Sequence, residues 1–458
     1  MTIIISSTVF DCMRPYVDAI SNICRALCMD PFGDVIIEGT RAIAEFGRAG
    51  GDQLIHFCES MGRSLFTAFV HRHSIVRIAG LRALFDVMTA GQWKTSYSVL
   101  EHMVGFRDPN IVPIAEFYEP QSKVNYFAMF VQDRSVAVRQ CFYQTMAKLL
   151  LDLPDRIDME GRIFPYLISG LYDENDGIRK KVYELIEEIG LCHEEREEEK
   201  FREIKQFAYC PEWMHKGLVT DDDVKLPEPL VQRPRLGSRI LVRSYVRRYL
   251  KALYVEIQTW QEGHQERASN LLLYSICYVE EFMTQYLDHL LVAMYKSILN
   301  KENKTVQHHV PLIYRMLGRY VNPKSYGPLI ISAIKNDLAS FYSTTGLGSL
   351  KAFGYMFAGS IELMKESQDL SYVKDLLLDF MEAIKTTVIL SLDIELATYL
   401  VESLDVMTTE LIKKKKEGMN VSEVERHLPQ MLSFLLEAKA TFMTYKLQKK
   451  GEPDDIKV

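Results

Sequence analysis

No stretch of the 458-residue sequence holds the ~20 consecutive apolar residues that a membrane-spanning helix needs. The first residues, MTIIISSTVFDCMRP, are apolar but carry no basic n-region and no long apolar core, so they do not read as a signal peptide. Their strand-like start suits a truncated or alternatively started chain. The eight cysteines are scattered and form no CxxC. Cys24 and Cys28 stand at i, i+4, where two thiols and two histidines hold zinc, yet no histidine pair lies nearby. They read as buried thiols, and the usage fits a reducing compartment. Basic charge is not in excess. The 54 Lys and Arg face 61 Asp and Glu, a net charge of −7, which argues against nucleic-acid binding through bulk charge and leaves only a local patch open. Period-two alternation is almost absent, so no sheet is expected. No Ser/His/Asp, Cys/His or paired-carboxylate set assembles with supporting local motifs, and no cofactor is implied.

What the sequence does carry is a repeat. Residues 171–190, LYDENDGIRKKVYELIEEIG, open with a polar turn and continue as an amphipathic helix. Ile178, Val182, Leu185, Ile186 and Ile189 make one apolar stripe, and Asn175 or Asp176 can cap the first turn. Asp173 and Arg179 are six residues apart; forty residues upstream, Asp133 and Arg139 repeat that spacing. Val76-Arg77 repeats the Arg end alone, with His71 at the Asp position. Self-similarity at this period marks stacked helix pairs, each unable to bury both apolar faces alone. The fold expected is all-α: a HEAT-repeat, armadillo-like superhelical solenoid of antiparallel helix pairs. At ~40 residues per unit the chain holds roughly ten.

Along the chain, helix pairs are expected over 14–48 and 51–88, with a looser pair at 91–132. The charge run 193–205, HEEREEEKFREIK, reads as a solvated helix or linker. Periodicity stops from 208 to 238, where Pro211, Pro227, Pro229, Pro234 and Asp221–Asp223 lie. The organisation expected is a first block over 1–205, a linker over 206–238, a second block over 239–447 and a polar tail over 448–458. In the second block Arg267 and Gln307 fall at the ladder position, forty residues apart and without the Asp. A weaker or replaced ladder is expected for them and for Arg77. Gly346, Gly348, Gly354 and Gly359 suit close helix contact.

In HEAT-type repeats the Asp of one turn and the Arg of the following helix form a ladder between units. A buried Arg needs paired acceptors, so Asp133, Arg139, Asp173 and Arg179 read as structural. The second helix of each pair is expected to line a concave face. Off the apolar stripe stand Lys180, Lys181, Glu184, Glu187 and Glu188, of which Lys181, Glu184 and Glu188 are the candidate partner contacts. A mixed-charge face suits protein better than phosphate.

Residues 233–298 carry something more specific. Arg233-Pro234 with Leu236-Gly237, Trp260, Arg267-Ala268 with Leu271-Leu272-Leu273, and Glu280 to Thr284-Gln285-Tyr286-Leu287 occur in that order. LGRYVNPKSYGPLIISAI (317–334) and ASFYSTTGLGSLKAFGYMFAGS (339–360) follow. This run resembles the C-terminal half of the dynein axonemal assembly factor 5 family, also called HEAT repeat-containing protein 2, most clearly over 133–405. The resemblance implies a cytoplasmic, non-enzymatic factor that helps preassemble outer and inner dynein arms. It implies axonemal dynein heavy and intermediate chains, chaperones and other assembly factors as partners, with no nucleic acid and no membrane. Family members usually carry a longer N-terminal array. The alternative expectation is a general HEAT adaptor, such as a phosphatase scaffold or nuclear-transport receptor.

Several lookalikes are set aside. Asp173-x-Asn175-x-Gly177 places glycine fifth, not sixth as in a calcium loop. Thr344–Lys351 lacks the Gly-Lys-Ser/Thr adjacency of a phosphate loop. His308-His309 has no further ligands at hand, and at least one should face solvent. Lys413–Lys416 reads as a solvated loop, and Trp260 as core.

Overall fold

The computed structural model describes residues 1–104, 124–153, 156–206, 226–259, 261–338, 344–362, 371–388 and 394–427, with 429, 430, 433 and 436. Among these residues the regular structure is helical and no strand occurs. The longer helices are α1 (Val17–Cys28), α2 (Gly33–Gly50), α3 (Ile55–Ser64), α4 (Ser74–Val104), α5 (Tyr126–Val131), α6 (Val136–Asp152), α7 (Ile157–Ser169), α8 (Asp176–Arg196) and α9 (Glu198–Gln206). They continue with α10 (Leu236–Ile257), α11 (Glu262–Val279), α12 (Leu287–Tyr295), α13 (Lys304–Tyr320), α14 (Pro323–Leu338), α15 (Thr344–Glu362), α16 (Ser371–Val388) and α17 (Ile394–Lys416). The fold is all-α and of the HEAT-repeat type.

Contacts divide the chain into two compact units. The first joins Met1–Glu203 with Pro227–Leu250; the second joins Ile204–Leu226 with Lys251–Val458. In the first unit α2, α4, α6 and α8 pack one on the next as a layer, and α1 packs on α3 and α5 on α7 beneath them. In the second unit α11, α13, α15 and α17 form one layer and α12, α14 and α16 the other. Residues 239–250 of the expected second block therefore group with the first unit. The reason is local: Ser238 donates to the Ile186 carbonyl at 3.0 Å and Gly237 N–H to Glu194 at 2.9 Å, which fastens the start of α10 to α8.

The stripe read in α8 is its core face. Ile178, Val182, Leu185, Ile186 and Ile189 are all buried, each worth about 1.5–3 kcal/mol on the scale of apolar transfer. Asn175 caps the helix, its side-chain oxygen accepting the Ile178 N–H at 3.1 Å.

Several expectations change. Residues 2–7, strand-like in sequence, are helical (Thr2–Ser7). No break separates 88 from 91; α4 runs through Thr89-Ala90-Gly91 for 31 residues, because one helical glycine costs only about 1 kcal/mol. Lys413–Lys416 is the last turn of α17, not a loop. There the cations face the negative end of the helix dipole, and Lys414 pairs with Glu417 at 2.8 Å. The charge run divides between the end of α8 and α9, and His193 and Glu194 are buried rather than solvated. Trp260, Cys210, residues 207–225 and the expected tail lie outside the described residues.

Candidate functional site

The ladder arises where the second helix of a pair begins. Arg139, the fourth residue of α6, donates through Nη1 to the carbonyl of Asp133, six residues back, at 2.7 Å. Its Nε and Nη2 grip both carboxylate oxygens of Asp173, in the next repeat, at 2.7 and 2.9 Å. Arg77 repeats this: Nη1 donates to the His71 carbonyl at 2.7 Å and Nη2 to Asp133 at 2.8 Å. Each Asp also closes its own turn, since Asp133 accepts the Ser135 N–H and Asp173 the Asn175 N–H, both at 2.9 Å. Arg139 and Asp173 are 8% and 9% exposed, so the pair is buried and bidentate. Its hydrogen bond to Asp173 holds the Arg139 guanidinium more firmly protonated than usual.

Thus the Arg of one repeat takes the Asp of the following one. Arg77 was expected to lack a carboxylate because its own turn carries His71; the carboxylate it uses is Asp133. Arg179 keeps the carbonyl half of the motif, donating to Asp173 O at 2.9 Å, but its carboxylate is the local Asp176 at 3.1 Å. All four ladder residues named from sequence are tied into turns; of the pairs they form with one another, Arg139 with Asp173 crosses from one repeat to the next, as Arg77 with Asp133 does before it.

The polar face of α8 is open along part of its length. Lys181 is partly exposed and Glu184 and Glu188 are exposed. Lys181 Nζ lies 3.0 Å from Glu184, a pair worth about 0.2–0.5 kcal/mol at this spacing. Glu187, on the same side in sequence, is taken: its carboxylate accepts the Arg235 N–H at 2.9 Å, and burial pushes its carboxyl above the ordinary range. The same register on the preceding helix is open and polar, at Gln140, Gln144 and Lys148 of α6.

The second unit builds its rung differently. The fourth residue of α11 is Gln265, not Arg267. Gln265 donates to the Thr259 carbonyl, six residues back, and accepts from Asn300 Nδ2 of the next turn at 3.2 Å. Asn300 in turn accepts the N–H groups of Glu302 and Asn303 at 2.9 and 3.0 Å. A neutral amide rung replaces the ion pair. Arg267 folds back on its own helix, donating to the Gly263 carbonyl at 2.9 Å, and Gln307 is exposed. Sequence reading missed Gln265 and Asn300 because it tracked arginine; the spacing of six from Thr259 was the available signal.

Glycine brings the helices of this unit together. A Cβ on Gly348 would lie 2.0 Å from the Tyr295 carbonyl oxygen, and one on Gly359 equally close to the Arg315 oxygen. The phosphate-loop lookalike is therefore a helix seam. Nearby, Arg315 Nε reaches Glu362 at 2.9 Å and also pairs with Glu410, while Arg319 meets Glu362 at 2.8 Å.

The other lookalikes are occupied. Arg139 takes the Asp173 carboxylate that a calcium loop would use. Burial pushes the Cys24 thiol up to about 11 and the Cys28 thiol up to about 12, so both stay neutral. His308 faces solvent and His309 is half-buried, its imidazole held below the ordinary range by burial. Among the described residues no group of three or more His, Cys, Asp or Glu is placed to hold a metal. No helix among them is long and apolar enough to cross a membrane.

Known proteins bear on this architecture. The profile of the dynein axonemal assembly factor 5 HEAT-repeat domain matches residues 225–378. A second, for the TPR repeats of dynein axonemal assembly factor 5-like proteins, matches 1–105 and 121–204. The chain is 28% identical over 334 residues to dynein axonemal assembly factor 5 of Xenopus laevis, covering 72% of this chain and 35% of the relative. The Homo sapiens protein of that name is 26% identical over 323 residues, 70% of this chain and 34% of the relative. The chain thus spans about a third of the length of the curated relatives it matches. Among solved structures, the Kap95–Nup1 complex is similar at 13% identity and a TM-score of 0.28, covering 93% of this chain and 56% of that one. Kap121p bound to Nup53p is similar at 11% identity and a TM-score of 0.30, covering 94% and 41%. With the two profiles together matching most of its residues, the chain belongs to the dynein axonemal assembly factor 5 family.

Proposed function

We propose that this chain is a non-enzymatic scaffold for the cytoplasmic preassembly of outer and inner axonemal dynein arms, working beside chaperones and other assembly factors. Family membership, shared with relatives named for axonemal dynein assembly, carries the reading. The architecture supports it: polar, partly open helix faces stacked in register suit many weak protein contacts, which add through effective concentration. Dynein heavy and intermediate chains are the partners proposed. Lys181, Glu184 and Glu188 of α8 are the contacts proposed on a concave face, beside Gln144 and Lys148 of α6. Asp133, Arg139, Asp173 and Arg179 hold the turns that set this face and do not touch the partner.

The test is to deplete the protein in its source organism and view cilia or flagella in cross-section by electron microscopy. Missing dynein arms, with cytoplasmic dynein heavy chain falling as well, is the expected result. Intact arms with normal motility would refute the role.

A further inference from the structure

One surface goes unused in that reading. Between Pro229 and Val255 the sequence carries seven Lys and Arg and no acid, in a chain whose net charge is −7. Most of this stretch is α10. Arg239, Arg243 and Arg247 recur at every fourth position, so they share one side of the helix. Like charges at that spacing repel and weaken a helix, so helix stability does not explain the pattern.

The packing sorts these cations. Val242, Tyr245, Val246 and Leu250 are buried, which leaves Arg247 and Arg248 exposed and Arg243 at the rim. Arg239 serves the fold, donating through Nε to the Pro234 carbonyl at 2.9 Å. Arg248 is steadied from beneath, its guanidinium 5.1 Å from the Tyr245 ring centroid, while Tyr245 is anchored through its hydroxyl to Glu160 at 2.7 Å. An exposed guanidinium on a fixed aromatic support loses less freedom when it binds than a free lysine does.

We propose that the exposed Arg247–Arg248 face of α10 docks an acidic segment of a protein partner. Arginine forks match carboxylates with two parallel hydrogen bonds. The surroundings favour protein over a polyphosphate. Asp158 acts on Tyr245 from one side, Glu187 lies beside Arg235 and Arg239 on the other, and the whole chain is acidic. A nucleic-acid backbone presents charge without gaps and would meet these carboxylates; a peptide with spaced acids need not. This goes beyond the scaffold reading and does not require the partner to be dynein.

The test titrates the full chain into a fluorescein-labelled Glu-rich peptide by anisotropy, at low and physiological salt. Single-stranded DNA and phosphatidylserine vesicles are run in parallel. The Arg247→Glu/Arg248→Glu variant should keep its circular dichroism, with a melting midpoint lowered by the lost contact of Arg248 with the Tyr245 ring; Arg247→Glu alone, at an exposed side chain, should keep both and still weaken peptide binding. The double variant should lose at least about tenfold in peptide affinity, whereas Arg247→Lys/Arg248→Lys keeps most of it. Unchanged peptide binding in the reversed variant would overturn the proposal. So would tighter binding of the DNA or the vesicles than of the peptide, lost in the same variant. Dynein arms that survive depletion would count against the scaffold reading and leave this result untouched.

Discussion

Arg139 in the first unit and Gln265 in the second hold the same place, the fourth residue of a helix, and both reach a carbonyl six residues back. Arg139 then takes a buried carboxylate, and Gln265 takes an amide. The first unit thus registers its turns with ion pairs, which are costly to break because a buried charge is left alone. The second registers them with neutral amides, and draws its helices close at glycines such as Gly348 and Gly359. The two halves of one array therefore differ in what destabilises them: loss of an acceptor in one, gain of volume in the other.

The largest effect is expected at Asp173. Asp173→Ala strands the Arg139 guanidinium and should cost about 3–5 kcal/mol, read as a lower urea midpoint and lost amide protection in α6 and α8. Copying the neutral rung sharpens the comparison. Arg139→Gln with Asp173→Asn should lose only about 1–2 kcal/mol, since no charge is left without a partner. A double variant as unstable as the single one would show that the rungs are not equivalent.

Next comes Gly348→Val. It pushes a side chain into the Tyr295 carbonyl and should cost about 1–3 kcal/mol or more. The loss of protection should appear in α12 and α15 and spare α6. Asn300→Ala removes the acceptor of two backbone N–H groups and the bond to Gln265, for about 1–2 kcal/mol; a value near that of Asp173→Ala would erase the distinction drawn between the units.

The smallest effect is a slope. Burial raises the Glu160 carboxyl above the ordinary range, against the lowering pull of the Tyr245 hydroxyl. The folded state then holds that proton at pH values where the unfolded state has lost it. Stability from this group falls as pH rises from the ordinary Glu range through the raised value. Glu160→Gln removes the term, so thermal midpoints should shift in favour of the variant as pH rises across that window. A constant difference would place the proton elsewhere.

Much of the fold was legible because apolar periodicity reports burial directly, as the α8 stripe shows. The ladder was legible as residues and not as pairs: Asp133 with Arg139 is a spacing within one turn, whereas the bond joins Arg139 to Asp173 one repeat on. A sequence motif shows what repeats, and only the stacking shows which copies meet. Gln265 and Asn300 escaped because an amide pair does the arginine's task with different atoms. The run of α4 through Gly91 escaped because a turn-like Thr-Ala-Gly is tolerated inside a helix whose flanks are packed. The proposed contacts Lys181, Glu184 and Glu188 were legible only as positions off the apolar stripe of α8, since charge on a solvated face does not say what it binds.

The scaffold role is tested most directly by recovering tagged chain from cells building motile axonemes and probing for dynein heavy and intermediate chains. A Lys181→Glu/Glu184→Lys/Glu188→Lys variant, which changes exposed charge and spares the ladder, serves as the comparison. Dynein chains recovered with the unaltered protein, and several-fold less with the variant at equal stability, is the result predicted. Recovery of no dynein chain with either protein would contradict the account.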